Sequence, residues 1–202
     1  MLTERMCKEF LLVVKGINVE DNQKNLQGTI DLFDSSLNDM KNGNNENHIP
    51  APPDEQVLEG LNIVQEQWDI IKPPLEATVS NSNPAQSVID TVMNNEVALL
   101  KKSNDVVSTY VSTAKQMDAK TPGSQLDTAG KQRMLTQKMS KEALMLNLGI
   151  TDSPEDLRGT ITEFQDAHSG LLRGVDFLGL PQTINICQLW QMRHVKIGRA
   201  HV

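Results

Sequence analysis

Apolar side chains recur along this chain at steps of three and four residues, separated by polar positions. Between Asn22 and about Lys41 this spacing puts five apolar residues on one stripe, namely Leu26, Ile30, Phe33, Leu37 and Met40. A longer stretch, from Asn83 to about Lys120, continues the pattern with two polar interruptions at Glu96 and Ser103. Such steps return to one face of an α-helix, whereas a half-buried strand needs strict alternation. The pattern therefore predicts an all-α fold whose helices pack along seams, as in an up-and-down four-helix bundle.

Glycine and proline set the expected limits of the first helices. A helix from Met1 to about Lys15 is expected to end at Gly16, because glycine favours helix C-termini. After the helix with the apolar stripe, a third helix is expected to begin near residues 53–55, where proline and acidic residues suit a first turn. Pro73 and Pro74 are expected to interrupt it, because each removes a helical donor.

The opening stretch of the chain returns later in the sequence. The first seventeen residues read MLTERMCKEFLLVVKGI, and the stretch from Met134 reads MLTQKMSKEALMLNLGI. Nine positions are identical at a constant offset of 133 residues, which indicates an internal duplication. The sequence therefore predicts two modules, residues 1–121 and residues 122–195. The first has four helices, and the second is a truncated copy whose third helix starts near Ile184.

Both ends of the chain depart from this repeat. Met1 aligns with Met134, which lies inside a helix, so the counterpart of residues 130–133 is expected upstream of Met1. The second module breaks off near Val195, and the final residues, 197–202, resemble the translation of a common sequencing-library adapter. We therefore expect a fragment with a non-native tail over residues 196–202.

Composition and residue spacing argue against several classes of function. A net charge of −7 argues against general nucleic-acid binding, which needs a basic surface. Cys7 and Cys187 are too few for a disulfide framework or a zinc site. The four histidines have no metal-ligand spacing, and no nucleophile–base set or phosphate loop is evident. No apolar run is long enough to span a membrane. We expect no enzymatic activity, no metal and no cofactor.

The helix around Met134 has two different faces. At about 100° per residue, four apolar residues share a core stripe: Leu135, Met139, Ala143 and Leu146. The opposite side carries one guanidinium among small, uncharged or hydrogen-bonding residues: Leu126, Gly130, Arg133, Gln137, Ser140 and Leu144. An arginine flanked by Gln and Ser donors at a helix–helix contact can hold two oxygens of a small planar anion. A solvated ion pair at Arg133 is the alternative, and Lys131, Lys138 and Lys141 are expected to be solvated.

The segment from Gly130 to Met139, GKQRMLTQKM, resembles the A-G-R-Q-R-M-L-[ST]-Q-[RK]-M signature of the PilJ-type domain. This domain is the N-terminal sensor module of type IV pili methyl-accepting chemotaxis transducers and is related to the sensor region of NarX-type nitrate/nitrite kinases. The later segments LGLPQTIN and QMRHV resemble its connector and third helix. The resemblance implies a four-helix bundle on the periplasmic or extracytoplasmic side of a membrane, with any membrane segment lying outside this sequence.

The resemblance also implies a ligand. In some relatives nitrate or nitrite binds where two copies of the motif helix meet across a homodimer. Arg133 matches the arginine that those relatives use on the anion, and the predicted site is completed by its neighbours on the motif: Gly130, Lys131, Gln137 and Ser140. Lys131 replaces the first arginine of the signature, which keeps the charge but loses the bidentate geometry.

The first copy departs further from the signature. Glu4 stands where Gln137 stands, and Cys7 stands where Ser140 does. A carboxylate beside an anion site repels the ligand, so we expect the first module to be the poorer receptor. A competing interpretation remains, in which the helical modules are ligand-free spacers or protein-interaction units.

Overall fold

A computed structural model describes residues 1–119 and 123–173. Over these residues the chain forms six α-helices and no extended strand, which confirms the all-α prediction. The helices are α1 (Leu2–Val14), α2 (Val19–Asn42), α3 (Glu55–Ser80), α4 (Gln86–Met117), α5 (Gly123–Asn147) and α6 (Glu155–Arg173). The predicted third helix of the second module, which starts near Ile184, and the tail over residues 196–202 lie outside the described residues.

The first four helices form an up-and-down bundle around one core. Consecutive helices pack as neighbours, and α4 also packs against α1 to close the bundle. The predicted stripe on α2 is buried from Leu26 to Leu37, and Met40 packs at its edge. Large side chains from all four helices fill the centre: Met6, Phe10, Leu11, Leu26, Ile30, Leu37, Leu61, Trp68, Leu75 and Leu99. Helical spacing of apolar residues therefore builds this core without a thick aromatic layer.

The expected interruption at Pro73 and Pro74 is wrong, because α3 runs through both prolines. Each proline leaves the carbonyl four residues earlier without its helical donor. Those carbonyls belong to Asp69 and Ile70, which lie on the exposed side of α3, where water can satisfy them. Leu75, directly after the prolines, is 1% exposed and anchors the helix in the core.

The remaining two helices form a hairpin on the outside of this bundle. α5 packs against α6 on one side and against α1 and α4 on the other. Leu135 of the predicted core stripe is fully buried, Met139 and Leu146 are half-buried, and Ala143 is exposed. The stripe is therefore only partly covered within the described part of the chain.

None of the described helices combines the length and the apolar character that crossing a bilayer requires.

Candidate functional site

The two stretches with the shared sequence, in α1 and α5, pack side by side. Lys8 Nζ donates a hydrogen bond to Gln137 Oε1 over 2.8 Å. Lys141 Nζ lies 2.9 Å from Glu4 Oε2. At the offset of 133 residues, Lys8 corresponds to Lys141 and Glu4 corresponds to Gln137. The same pair of positions is therefore in contact twice, with the lysine on α1 in one contact and on α5 in the other. Reciprocal contacts of this kind are the geometry of two like helices related by a twofold axis.

On one side of the α1–α5 contact lies a cleft of about 490 Å³. Three cationic side chains line it, Arg5 and Lys8 from α1 and Arg133 from α5, together with one carboxylate, Glu9. Its remaining polar walls are Asn22, Asn25, Thr136 and Gln137. We call this feature the cationic cleft.

The charges of the cationic cleft are only partly balanced. Arg5 Nε donates to Glu9 Oε1 over 2.7 Å, so this guanidinium already has a counter-ion. Lys8 is bound to the neutral amide of Gln137, which leaves its charge uncompensated. Arg133 is exposed and makes no hydrogen bond or ion pair with the described residues. The cleft therefore offers two free positive charges, on different helices, to a ligand.

The structure brings together two of the five predicted site residues, Arg133 and Gln137. The other three lie elsewhere. Lys131 Nζ pairs with Glu163 Oε1 of α6 at 2.6 Å. Gly130 lines a separate groove of about 590 Å³ between α4 and α5. Ser140 donates its hydroxyl to a backbone carbonyl of its own helix.

Arg5 and Lys8 line the cleft, and sequence reasoning missed both. The signal that can identify them is the duplication. If two like helices pack in parallel within one chain, position 8 of the first copy comes beside position 137 of the second. The family resemblance implies such a pairing only between two chains.

On the other side of the same contact lies a buried charge cluster, formed by Glu4, Glu96 and Lys141. The prediction that Lys141 is solvated is wrong, because its side chain is 5% exposed. Lys141 Nζ lies 2.6 Å from Glu96 Oε1 of α4 and 2.9 Å from Glu4 Oε2 of α1. The helical spacing of residues on α5 alone does not reveal the carboxylates of Glu4 and Glu96, because these lie on α1 and α4.

The buried charge cluster holds two carboxylates for one ammonium. Burial raises the pKa of Glu4, and the charge of Lys141 offsets this only in part. Burial alone would lower the pKa of Lys141, but the charges of Glu96 and Glu4 raise it above its ordinary value. Burial also raises the pKa of the neighbouring Cys7 thiol well above its usual range. Glu4 Oε1 and Glu96 Oε2 accept no hydrogen bond from the described residues.

Replacing Glu4 by Gln is expected to remove a pH dependence of folding. Glu4 faces Lys141, Glu96 and Lys138, and its pKa in the folded chain is raised above the ordinary 4.5. The folded chain therefore holds a proton that the unfolded chain releases, so stability falls as pH rises from the ordinary value through the raised one. The limiting slope is about 1.4 kcal/mol per pH unit. Glu4→Gln cannot titrate, so its stability relative to wild type should rise across that window and then stay constant. Urea unfolding at a series of pH values measures it, and a difference independent of pH would contradict the assignment.

Comparison with known proteins gives two matches. Residues 1–92 and 112–193 match the family model PilJ, described as the N-terminal part of type IV pili methyl-accepting chemotaxis transducers. The methyl-accepting chemotaxis protein McpN of Pseudomonas aeruginosa is 38% identical over 74 residues. That similarity covers 32% of this chain and 14% of the length of McpN. No solved structure gives a significant match.

Proposed function

The chain belongs to the PilJ family, and from this premise we propose that it is a ligand-sensing module of a signalling protein of the chemotaxis-transducer type. The match to a methyl-accepting chemotaxis protein supports the signalling part of this proposal. A sensor has no need of catalytic groups, and a non-catalytic role is part of the proposal. The division into modules at residues 1–121 and 122–195 is proposed with it.

We further propose that the ligand is a small oxyanion such as nitrate or nitrite. The observation that carries this step is the cationic cleft, where Arg133 is exposed and has no counter-ion among the described residues. A guanidinium presents parallel N–H donors whose spacing matches two oxygens of a planar anion. Gln137, which lines the same cleft, supplies a polar neighbour on the same helix.

A ligand in this position can change how helices pack. Lys8 and Arg133 approach the cleft from different helices and carry like charges. An anion between them offsets their repulsion and favours the arrangement of α1 and α5 in which both reach it. A ligand shifts such an equilibrium by its difference in affinity for the two arrangements. That shift is the proposed signal.

Two further parts of the proposal rest on the family. The module lies on the periplasmic or extracytoplasmic side of a membrane, and two chains associate as a homodimer through the motif helix. The cationic cleft itself is built from one chain, so anion binding does not require the second chain.

Isothermal titration of the whole chain with nitrate and with nitrite tests the ligand. Binding is expected in the millimolar range or tighter, and Arg133→Ala should abolish it. Lys131→Ala is the matched control, because it removes a cation from the same helix that is paired with Glu163 away from the cleft. No binding at millimolar anion, or unchanged binding by Arg133→Ala, would overturn the ligand and favour the ligand-free helical spacer.

A further inference from the structure

The same lysine contact occurs twice between α1 and α5, with a different acceptor each time. In the cationic cleft, Lys8 meets the neutral amide of Gln137 at 2.8 Å. In the buried charge cluster, Lys141 meets the carboxylate of Glu4 at 2.9 Å. The two lysines occupy corresponding positions, and so do the two acceptors. The two contacts therefore occupy equivalent positions in the helix pair, but they differ chemically because one acceptor is a neutral amide and the other is a carboxylate.

The place at Lys141 is already full. Glu4 supplies one carboxylate, and Glu96 of α4 supplies a second at 2.6 Å. The side chains of the two carboxylates are 0% and 5% exposed, so no solute reaches this lysine from solution. Glu4 acts here as an anion that is tethered to the chain.

The place at Lys8 is open. Its acceptor carries no charge, and the adjoining cleft of about 490 Å³ is lined by Arg133 from the opposite helix. The acceptor of Lys141, Glu4, carries a negative charge, whereas the acceptor of Lys8, Gln137, does not. The contact between Lys141 and Glu4 thus shows how an anion would pair with Lys8.

We propose that the cationic cleft binds one monovalent oxyanion of carboxylate or nitrate size, held jointly by Lys8 and Arg133, and that Glu4 closes the corresponding place at Lys141. This inference rests on the proposed anion-sensing function and adds to it a ligand residue from the first copy and a stoichiometry of one anion per chain. It gives Glu4 a specific role, that of a tethered anion which leaves the helix pair with a single receptor site.

The charge of the ligand follows from the walls of the cleft. Lys8 and Arg133 contribute two uncompensated positive charges, whereas Arg5 is bound to Glu9. Glu9 lines the same cleft and is 3% exposed, and its Oε2 accepts no hydrogen bond from the described residues. Attraction to the two free cations grows in proportion to the charge of the anion, whereas the cost of removing the anion from water grows with the square of that charge, and the carboxylate of Glu9 adds repulsion. Phosphate and sulfate are therefore expected to bind more weakly than nitrate or acetate.

The most direct test is a variant that gives Lys8 the same kind of acceptor that Lys141 has. Gln137→Glu puts a carboxylate at Lys8, in the arrangement that Glu4 has at Lys141. It is nearly isosteric and creates an ion pair at a half-buried surface, so the fold is expected to survive. A tethered anion should compete with the dissolved one and lower its affinity roughly 10- to 100-fold, the range expected for losing one charge-assisted contact. Lys8→Gln should cause a similar loss by removing the cation.

Isothermal titration of the whole chain with nitrate, acetate and sulfate, at constant ionic strength, tests the inference in wild type and four variants. We expect one nitrate or acetate per wild-type chain, weaker sulfate, and large losses in Lys8→Gln, Gln137→Glu and Arg133→Gln. Lys131→Gln should bind as wild type does. Circular dichroism checks that each variant is helical.

The outcomes separate this inference from the proposed function. Wild-type affinity in Lys8→Gln or Gln137→Glu, with loss only in Arg133→Gln, would overturn the joint site and leave anion sensing intact. Sulfate binding as tight as nitrate would overturn the charge selectivity. Acetate binding without nitrate binding would support the joint site and overturn nitrate as the ligand. No binding of any anion by wild type would overturn both.

Discussion

Replacing Lys141 by Met is expected to destabilise the folded chain by about 3–5 kcal/mol at neutral pH, the usual cost of leaving buried charges without their partner. Lys141 is the ammonium that both Glu4 and Glu96 approach within 3 Å, at 2.9 and 2.6 Å. Met keeps most of the aliphatic volume, so the loss reports the charge rather than a cavity. Urea unfolding followed by circular dichroism measures it.

Two comparisons identify the cause of that loss. Lys131→Met removes a lysine whose ion pair is more than 40% exposed on both sides, so a change below about 0.5 kcal/mol is expected. Combining Lys141→Met with Glu4→Gln removes one of the two stranded carboxylates and should recover part of the stability. A loss below about 1 kcal/mol in Lys141→Met, or no recovery in the double variant, would contradict the buried charge cluster.

Replacing Trp68 by Ala is expected to cost about 3–5 kcal/mol, because it removes the largest buried side chain of the first bundle. Trp68 is fully buried, and its ring centroid lies 4.5 Å from that of Phe33. Its Nε1 donates to Asp34 Oδ1 over 2.8 Å. That hydrogen bond is the main cause that lowers the pKa of Asp34, and a second bond from Lys72 adds to it.

Trp68→Phe separates packing from hydrogen bonding. Phe retains most of the apolar area but cannot donate to Asp34, so a smaller loss of about 1–2 kcal/mol is expected. Ile70→Ala is the matched surface control, since Ile70 is on the same helix and 50% exposed, and it should change stability by about 0.5 kcal/mol or less. Equal losses in Trp68→Ala and Ile70→Ala would contradict the position of Trp68 in the core.

The bundle can be predicted from the sequence because its core residues recur at helical spacing. The stripe on α2 and the seam of α4 from Val92 to Val106 agree with the helical spacing of the sequence, including Glu96 as a polar layer inside the seam. The partner of Glu96 cannot be predicted from the sequence, because Lys141 lies on another helix and its helical spacing predicts a solvated side chain. The run of α3 through Pro73 was also missed, since local rules do not weigh the buried residues that anchor a helix on both sides.

The residues of the candidate site can be predicted from the sequence only in part. Helical geometry placed Arg133 and Gln137 on one face, and the structure puts both in the cationic cleft. Lys131 entered the prediction through the family signature, although residues two positions apart on a helix point about 200° apart. It therefore pairs with Glu163 of α6 instead. Lys8 was missed because its position depends on how α1 and α5 pair, which no local pattern specifies.

Hydrogen exchange of the whole chain, with nitrate compared against chloride at equal ionic strength, tests most directly whether an anion lodges between α1 and α5. An anion that binds there stabilises the packed arrangement and slows the local openings that expose amides. We expect millimolar nitrate to slow exchange in α1 and in the part of α5 around residues 133–141, to leave α3 unchanged, and to have no effect in Arg133→Gln. Equal exchange with and without nitrate in wild type, or the same slowing in Arg133→Gln, would contradict an anion site between these helices.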